Sequence, residues 1–330
     1  MAASVDQPAG RRAGWWGAGG RGAINTRQVV TAVLFVAILV LLGLLAPSFF
    51  RRNNLINVLV QTSSLGLMAV GMAPVMIAGG IDLSIPANMA LGAVLGALFM
   101  GAGGDPVVGS LVMVGAATLV GLLNGIAVAV LGMIPFVVTL AMMTVTTGAA
   151  VWLTHSVSLA GFPDSFFDVL LARVGGVPLS VYVLVAAAAA VGLVMNAAPF
   201  GRYVYAIGIN PRAARVARVP VRAATCASYA LAGLMAGITA VLLSARLGSA
   251  SANMGNDGVV LDVVSACVVG GISIYGGAGR VVGAVLGALL ITVLSNSLNL
   301  LGVSYYLNLM VKGVVIVGFV ALDGLRRPAA

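Results

Sequence analysis

Apolar residues fill most of the chain in stretches of 17 to 25 residues, and short segments rich in glycine and polar residues separate these stretches. A helix rises 1.5 Å per residue, so about 20 residues cross a hydrocarbon core of roughly 30 Å. The pattern therefore predicts an all-α, polytopic membrane protein of about ten transmembrane helices. The predicted spans are residues 29–46, 55–78, 83–100, 107–131, 135–153, 179–195, 223–245, 259–275, 281–300 and 304–322.

The composition leaves no room for a sizeable soluble domain. Apolar residues make up 61% of the chain and charged residues 8%, whereas a soluble domain carries about 25% charged residues. We predict one transmembrane domain at residues 29–325, with a flexible cytoplasmic tail at 1–28 and a cytoplasmic end at 326–330. A cleaved signal peptide is the alternative for the first span, but that apolar run is long and has no clear small-residue cleavage site.

The arginine positions orient the predicted helices. With the N-terminus in the cytoplasm, twelve of the sixteen arginines fall on the cytoplasmic side, as the positive-inside rule describes. The rule explains most of the net charge of +9, so we infer no nucleic acid partner. The four arginines that fall outside are Arg51, Arg52, Arg173 and Arg246.

Two segments of the chain align with each other without a gap. Residues 79–98 (GGIDLSIPANMALGAVLGAL) and 270–289 (GGISIYGGAGRVVGAVLGAL) are identical at eleven of twenty positions. Six predicted spans separate the segments, so both should have the same orientation, and repeats in transporters commonly flank the substrate site. An internal repeat, with half of the domain duplicated, explains the match. A shared packing face of small residues in GAVLGAL is the alternative.

Both segments open with a Gly-Gly pair, which weakens a helix where it stands. In the first segment Ser84 is a predicted N-cap and Pro86 lies in the first turn, so a new helix should start there. Asp82 then lies beside a helix N-terminus. That position fits a cap on the helix and a place in a translocation path equally well.

Few polar groups lie within the predicted spans. Burying an unpaired charge is costly, so we expect Asp262 and Lys312 either to form a structural ion pair or to reach the membrane–water interface with their charged groups. Asn296 and Asn299 share a helix face, as interhelical hydrogen bonds or a pore lining would both require. No metal-binding or nucleophile motif occurs in the sequence, so we predict that the chain is not an enzyme.

The longest polar segment on the predicted cytoplasmic side is FGRYVYAIGINPRAARVARVPVR, residues 200–222. Asn210 can cap a helix, Pro211 suits its first position and Pro220 ends it, so we predict a helix of about eight residues at 210–219. Such a helix is too short to cross a membrane. Arg215 and Arg218 project near one another beside alanines that could slide into a groove on a partner. An ordinary basic loop at the lipid surface is the alternative.

Five motifs give the chain a specific resemblance, which covers residues 50–325. They are MAVGMAPVMIAGGIDLS at 68–84, NGIAVAVLGMIPFVVTLAMM at 124–143, GRYVYAIGINPRAARVARVPV at 201–221, LDVVSACVVGGISIYGGAGRVVGAVLGAL at 261–289 and NSLNLLGVSYYLNLMVKGVVI at 296–316. In this order they resemble the ribose and xylose class of ABC importer permeases, relatives of the branched-chain amino acid permeases.

The resemblance implies a bacterial cytoplasmic membrane protein that works in an assembly. Its expected partners are a second, identical or homologous permease, cytoplasmic ATPase subunits that hold ATP and Mg, and an extracytoplasmic sugar-binding protein; no cofactor is expected in this chain. The family motif Gly-x-Asn-x-x-Ala-Ala-Arg identifies the short helix as the ATPase-coupling helix. The expected coupling residues are Gly208, Asn210, Ala213, Ala214, Arg215 and Arg218, and the expected path residues are Asp82, Ser84, Asn88, Phe136, Thr139, Asn296 and Asn299.

The chain departs from the family pattern at three places. Val260 replaces a common glutamate, Arg218 and Val219 replace a Gly-Ile pair, and residues 85–87 (Ile-Pro-Ala) replace Val-Gly-Ser. These changes leave the substrate open, and a permease for an autoinducer, a nucleoside or a branched-chain amino acid is the alternative. An ion-coupled secondary transporter is a further alternative, although the spans offer few proton or sodium ligands.

Overall fold

The computed structural model describes residues 47–324. The predicted tail at 1–28, the predicted span at 29–46 and the end at 326–330 lie outside the described residues. Within this range the chain forms twelve α-helices and one two-stranded hairpin, β1 (Arg173–Val174) with β2 (Val177–Pro178). The helices are α1 (Arg52–Ile77), α2 (Ile85–Gly101), α3 (Pro106–Ala129), α4 (Pro135–Thr154), α5 (Asp164–Leu170), α6 (Leu179–Ala197), α7 (Pro199–Ile209), α8 (Pro211–Val216), α9 (Val221–Leu247), α10 (Asp257–Val269), α11 (Val281–Leu300) and α12 (Tyr305–Gly324).

Six of these helices are long and apolar enough to cross a bilayer: α1, α3, α4, α6, α9 and α11. The multi-pass, all-α prediction is therefore confirmed, while the number of ten crossings is not established. Each predicted span from residue 55 onward contains one helix, but the span predicted at 259–275 is wrong in extent. The helix there, α10, has 13 residues, which rise about 20 Å and fall short of the hydrocarbon thickness.

Glycines let α9 pack closely on α3 in the centre of the fold. A Cβ added at Gly121 or Gly233 would collide with a backbone carbonyl of the facing helix. A Cβ at Gly237 would lie 2.5 Å from the Cα of Val114. Backbones approach this closely only where one side has no side chain, which is the packing used by transmembrane helices rich in small residues.

The two GAVLGAL segments are packing faces, but they face different neighbours. Gly92 and Gly96 of α2 approach α3, the helix that follows α2 in the chain. Gly283 and Gly287 of α11 approach α10, the helix that precedes α11. The packing-face interpretation is thus confirmed for both segments, whereas an internal repeat is not shown by these contacts.

The segment between α6 and α9 holds two short helices instead of the one predicted. The amphipathic helix α7 was not predicted, and it precedes α8, which lies within the predicted range 210–219. The N-cap prediction for Asn210 is confirmed, because its Oδ1 accepts hydrogen bonds from the backbone N–H groups of Arg212 and Ala213, both at 3.0 Å.

Helix α8 ends with a residue in the left-handed region. The N–H of Arg218 bonds to the carbonyl of Arg215 at 3.0 Å, and the N–H of Val219 bonds to the carbonyl of Ala214 at 3.0 Å. This is the Schellman pattern, and it places Arg218 at φ +60°. Glycine, the common family residue here, adopts that conformation without the steric cost that a Cβ imposes.

We expect Arg218→Gly to stabilise the chain, because glycine removes about 1 kcal/mol of strain at the left-handed position. The gain should appear as a higher thermal unfolding midpoint of the detergent-solubilised protein. Arg222→Gly is the matched control, since it places glycine in the first turn of α9 and should destabilise. An equal or lower midpoint for Arg218→Gly would contradict the assignment of strain.

An ion pair connects α10 to α12. The Nζ of Lys312 lies 2.9 Å from the Oδ2 of Asp262, and both side chains are largely buried. The ion-pair prediction for these two residues is confirmed. It explains how two charges are tolerated among apolar helices.

Lys312→Met should destabilise the chain, because it leaves Asp262 without its partner in an apolar setting, at a cost of about 2 kcal/mol or more. Thermal unfolding in detergent measures the loss. The exchange Asp262→Lys with Lys312→Asp should recover most of it. If Lys312→Met and the exchanged double variant unfold at the same temperature, the ion pair contributes nothing to the stability of the chain.

Candidate functional site

The loop at 78–84 reverses the chain between α1 and α2. The N–H groups of Gly79 and Gly80 bond to the carbonyls of Met76 and Val75, each at 2.9 Å, and Gly79 adopts φ +83°. These bonds satisfy two of the carbonyls that a helix leaves free at its C-terminus. The chain can therefore stop its helix among apolar neighbours and carry Asp82 to the start of α2.

Four buried polar side chains gather around the hydroxyl of Ser84. The Oγ of Ser84 donates to Oδ1 of Asp82 at 2.6 Å and accepts from the Nδ2 groups of Asn88 at 2.9 Å and Asn124 at 2.7 Å. All four side chains are fully buried. We call Asp82, Ser84, Asn88 and Asn124 the Ser84 cluster. It joins the loop and α2 to the end of α3.

Ser84 is the N-cap residue of α2, as predicted, but its side chain does not cap the helix. The side chain accepts no hydrogen bond from a backbone N–H of the first turn. The hydroxyl proton of Ser84 goes to Asp82, and both lone pairs accept from amides, so nothing remains for a backbone N–H. Asp82 instead accepts from the backbone N–H of Ser84 at 3.0 Å.

The same loop contacts two further helices through the carbonyl of Ile81. That oxygen lies 3.4 Å from the hydroxyl of Tyr229 in α9, which donates to it, and 3.3 Å from Oγ1 of Thr139 in α4. The single hydroxyl proton of Thr139 has a nearer acceptor in the carbonyl of Pro135, at 3.0 Å. Thr139 and Tyr229 are buried. The loop is thus in contact with α4 and α9 in addition to the helices on either side of it.

The predicted path residues on α11 lie in a different place. Asn296 and Asn54 exchange two side-chain hydrogen bonds, at 2.9 and 3.1 Å, and Asn54 also donates to the carbonyl of Phe49. Asn299 is exposed and accepts from Asn308 of α12 at 3.3 Å. Both asparagines therefore make interhelical hydrogen bonds, one of the two roles considered for them. A cavity of about 520 Å³, lined in part by Arg51 and Arg52, adjoins Asn54.

The structure does not bring all seven predicted path residues together. Asp82, Ser84 and Asn88 meet in the Ser84 cluster, and Thr139 contacts the same loop. Asn296 lies 15 residues after the start of α11, or about 22 Å along it, near the opposite end of the fold. The last of the seven, Phe136, is 51% exposed on the outside of α4.

The surface of α8 is basic around one apolar side chain. Arg212, Ala213, Arg215 and Arg218 are exposed, and Val216 between them is 87% exposed. Val216 was not predicted as part of this surface, although its position between Arg215 and Arg218, beside Ala217, was a usable signal. A short exposed helix with an apolar tip and basic rim suits insertion into a groove on another protein.

Two of the predicted coupling residues face inward. Ala214 is 4% exposed and packs with Ile207 and Ala224, so it attaches α8 to the rest of the chain. Gly208 lies against the carbonyl of Ile77 and the backbone N–H of Gly277, where an added Cβ would collide with both. Neither residue belongs to the exposed face of α8.

Comparison with known proteins identifies the family to which the chain is similar. Residues 54–320 match the family described as branched-chain amino acid transport system, permease component. The chain is 37% identical to the ribose import permease protein RbsC of Bacillus subtilis over 88% of its length and 90% of that protein. It is 35% identical to the galactose/methyl galactoside import permease protein MglC of Haemophilus influenzae, covering 89% of the chain and 94% of that protein.

A third relative is the D-allose transport system permease protein AlsC of Escherichia coli, 32% identical over 89% of the chain and 91% of that protein. No solved structure matches the chain significantly. The family match spans most of the residues that the structure describes, including the Ser84 cluster, α7 and α8. The chain therefore belongs to the permease-component family of branched-chain amino acid transport systems, within which its relatives include sugar import permeases.

Proposed function

We propose that this chain is the membrane-spanning permease subunit of an ABC importer for a monosaccharide. The observation that carries the proposal is α8, an exposed basic helix of six residues that follows the short α7 and precedes the long apolar α9, in a chain whose relatives are named as ribose, galactose and allose permeases. The chain itself is not catalytic. ATP hydrolysis takes place on partner ATPase subunits, and a sugar-binding protein delivers the substrate from the other side.

Helix α8 is the element that docks on the ATPase. Its arginines supply charge for an acidic rim, and Val216 supplies an apolar tip. Ala214 fixes the helix to α7 and to the start of α9, so force applied to α8 reaches the membrane-spanning helices. This role requires the α8 side to be cytoplasmic, which agrees with the positive-inside rule and places both termini in the cytoplasm.

The Ser84 cluster forms part of the wall of the sugar path. Within residues 47–324, Oδ2 of Asp82 and the Oδ1 atoms of Asn88 and Asn124 have no hydrogen-bond donor from the protein. A buried acceptor without a donor is costly, and sugar hydroxyl groups are donors of the required kind. We propose that these oxygens meet the sugar when the helices move apart, with Thr139 beside them and Phe136 near the axis between two permeases.

Asn296 and Asn299 belong to the outer end of the same path. They lie at the far end of α11 from the Ser84 cluster, and Asn296 bonds to Asn54 beside the cavity that Arg51 and Arg52 line. Amide and guanidinium groups are common in sugar recognition because each offers several hydrogen-bonding sites. A sugar released by the binding protein would meet this end first.

We further propose that the two halves of the domain arose by duplication. The N–H groups of Gly271 and Ile272 bond to the carbonyls of Val268 and Cys267, and Gly271 adopts φ +90°. Helix α10 thus ends with the same hydrogen-bond pattern as α1, one residue later than the gapless alignment of 79–98 with 270–289 would place it. The different neighbours of the two GAVLGAL faces would then have arisen after the duplication.

Charge reversal at Arg215 tests the docking proposal. Arg215→Glu should lower co-purification of the ATPase and reduce ATP-dependent sugar uptake by roughly tenfold or more, because it places like charges at the rim. The matched control is Arg202→Glu, an exposed arginine of α7 outside the docking helix. Unchanged ATPase binding and uptake in Arg215→Glu would refute the docking role of α8.

Replacement of Asp82 tests the path proposal. Asp82→Asn keeps the size of the side chain but converts one of its oxygens into a donor, so we expect sugar uptake to fall by about tenfold at normal expression. Asp168→Asn, on the exposed face of α5, is the control. Normal uptake by Asp82→Asn would exclude the Ser84 cluster from the path.

A further inference from the structure

The docking helix is joined almost rigidly to its neighbour α7. Helix α7 ends at Ile209, helix α8 begins at Pro211, and Asn210 is the one residue between them. The Oδ1 of Asn210 caps α8, while its backbone N–H bonds to the carbonyl of Ala206 in α7 at 3.1 Å. A displacement of α8 must therefore displace the C-terminal end of α7.

The C-terminal end of α7 makes backbone contacts with the loop after α1 and with the loop before α11. A Cβ added at Gly208 would collide with the carbonyl oxygen of Ile77, at the end of α1, and with the backbone nitrogen of Gly277, in the loop before α11. The N–H of Gly277 donates to the same Ile77 carbonyl at 2.8 Å. Three separate parts of the chain thus meet at one carbonyl oxygen.

The two loops also touch each other. A Cβ at Gly276 would lie 2.9 Å from the Cα of Gly79 and 3.1 Å from the carbonyl oxygen of Gly208. Gly79, Gly276 and Gly277 adopt φ values of +83°, +86° and +74°, which disfavour any other residue. We call Gly79, Gly208, Gly276 and Gly277 the glycine junction.

Two side-chain contacts hold α7 and α8 to this junction. The hydroxyl of Tyr205 in α7 donates to the carbonyl of Gly279 at 2.7 Å. Burial raises the pKa of the Tyr205 phenol, with Arg280 nearby acting in the opposite direction, so the hydroxyl keeps the proton that it donates. The cluster formed by Ile207, Ala214 and Ala224 packs against Ala78, the residue before Gly79.

The junction leads directly to the Ser84 cluster. Gly79 stands three residues before Asp82, and the carbonyl of Ile81 between them accepts from the hydroxyl of Tyr229 and lies 3.3 Å from Oγ1 of Thr139. A contact between backbones contains no side-chain rotamers that could absorb a small shift. Packed interiors of this kind respond to displacement by moving as units.

On the basis of the proposed docking of α8 to an ATPase, we infer that the glycine junction is the mechanical link that carries the movement of α8 to the Ser84 cluster. Gly208 is then a positioning residue that acts through the loops at 78–84 and 270–280. It works by transmitting displacement and touches neither the sugar nor the ATPase. This role explains why Gly208 stands beside the docking helix without belonging to its exposed face.

The test uses the whole transporter in proteoliposomes, with its ATPase and sugar-binding protein, and measures sugar molecules imported per ATP hydrolysed. Gly208→Ala forces the three backbones apart, so we expect the ATPase to remain bound while the ratio falls by roughly tenfold. The matched control is Gly237→Ala, which is similarly crowded against α3 but lies eight residues beyond Tyr229 on α9. It should keep the wild-type ratio.

A milder variant covers the case in which Gly208→Ala fails to fold. Tyr205→Phe removes one hydrogen bond to the loop and should lower the sugar-per-ATP ratio about threefold without loss of protein. An unchanged ratio in Tyr205→Phe, or equal losses in Gly208→Ala and Gly237→Ala, would overturn the inference.

ATPase co-purification separates this inference from the docking proposal. If Gly208→Ala releases the ATPase, the junction supports docking and does not transmit movement, so the inference fails while the docking role stands. If Arg215→Glu leaves the ATPase bound, the docking role itself fails, whatever Gly208→Ala does.

Discussion

Every backbone polar group in an apolar setting needs a partner, and that constraint shapes this protein most clearly where α1 and α10 stop. The carbonyls at both helix ends are satisfied by the N–H groups of the loops that follow, and the Ile77 carbonyl also accepts from Gly277 of the other loop. These bonds allow two helices to end among buried residues. The loops they create hold the Ser84 cluster on one side and receive α7 on the other.

The lengths of the apolar stretches predicted the positions of the helices, because helices surrounded by lipid must be continuous and apolar. The same rule placed the end of α10 too late, because it counted the glycine-rich residues 270–275 as part of the span, whereas the left-handed Gly271 ends the helix at Val269. The resemblance likewise pointed to Asp82, Ser84 and Asn88, but it did not show that the Ser84 hydroxyl bonds to the other two and to Asn124. The hydroxyl of Ser84 joins them only because α3 returns to the start of α2, which no local pattern reveals.

The charged groups of the described residues divide by role. Asp262 and Lys312 neutralise each other between α10 and α12 and serve the fold. The arginines of α8 are exposed and surround Val216, as a docking surface requires. Asp82 is fully buried and accepts from the hydroxyl and the backbone N–H of Ser84, and in the proposed function its Oδ2 is an acceptor for a hydroxyl-rich substrate. The proposed function therefore gives structure, docking and transport to separate groups of residues.

In the proposed function, sugar crosses the membrane through this chain, and ATP hydrolysis on a partner subunit drives the crossing. Transport of labelled ribose, galactose and allose into proteoliposomes containing the co-purified partners tests it most directly, with ATP supplied on the side that holds the ATPases. We predict uptake of at least one of these sugars, and this uptake should require both ATP and the binding protein. Uptake driven by an ion gradient without ATP would contradict it.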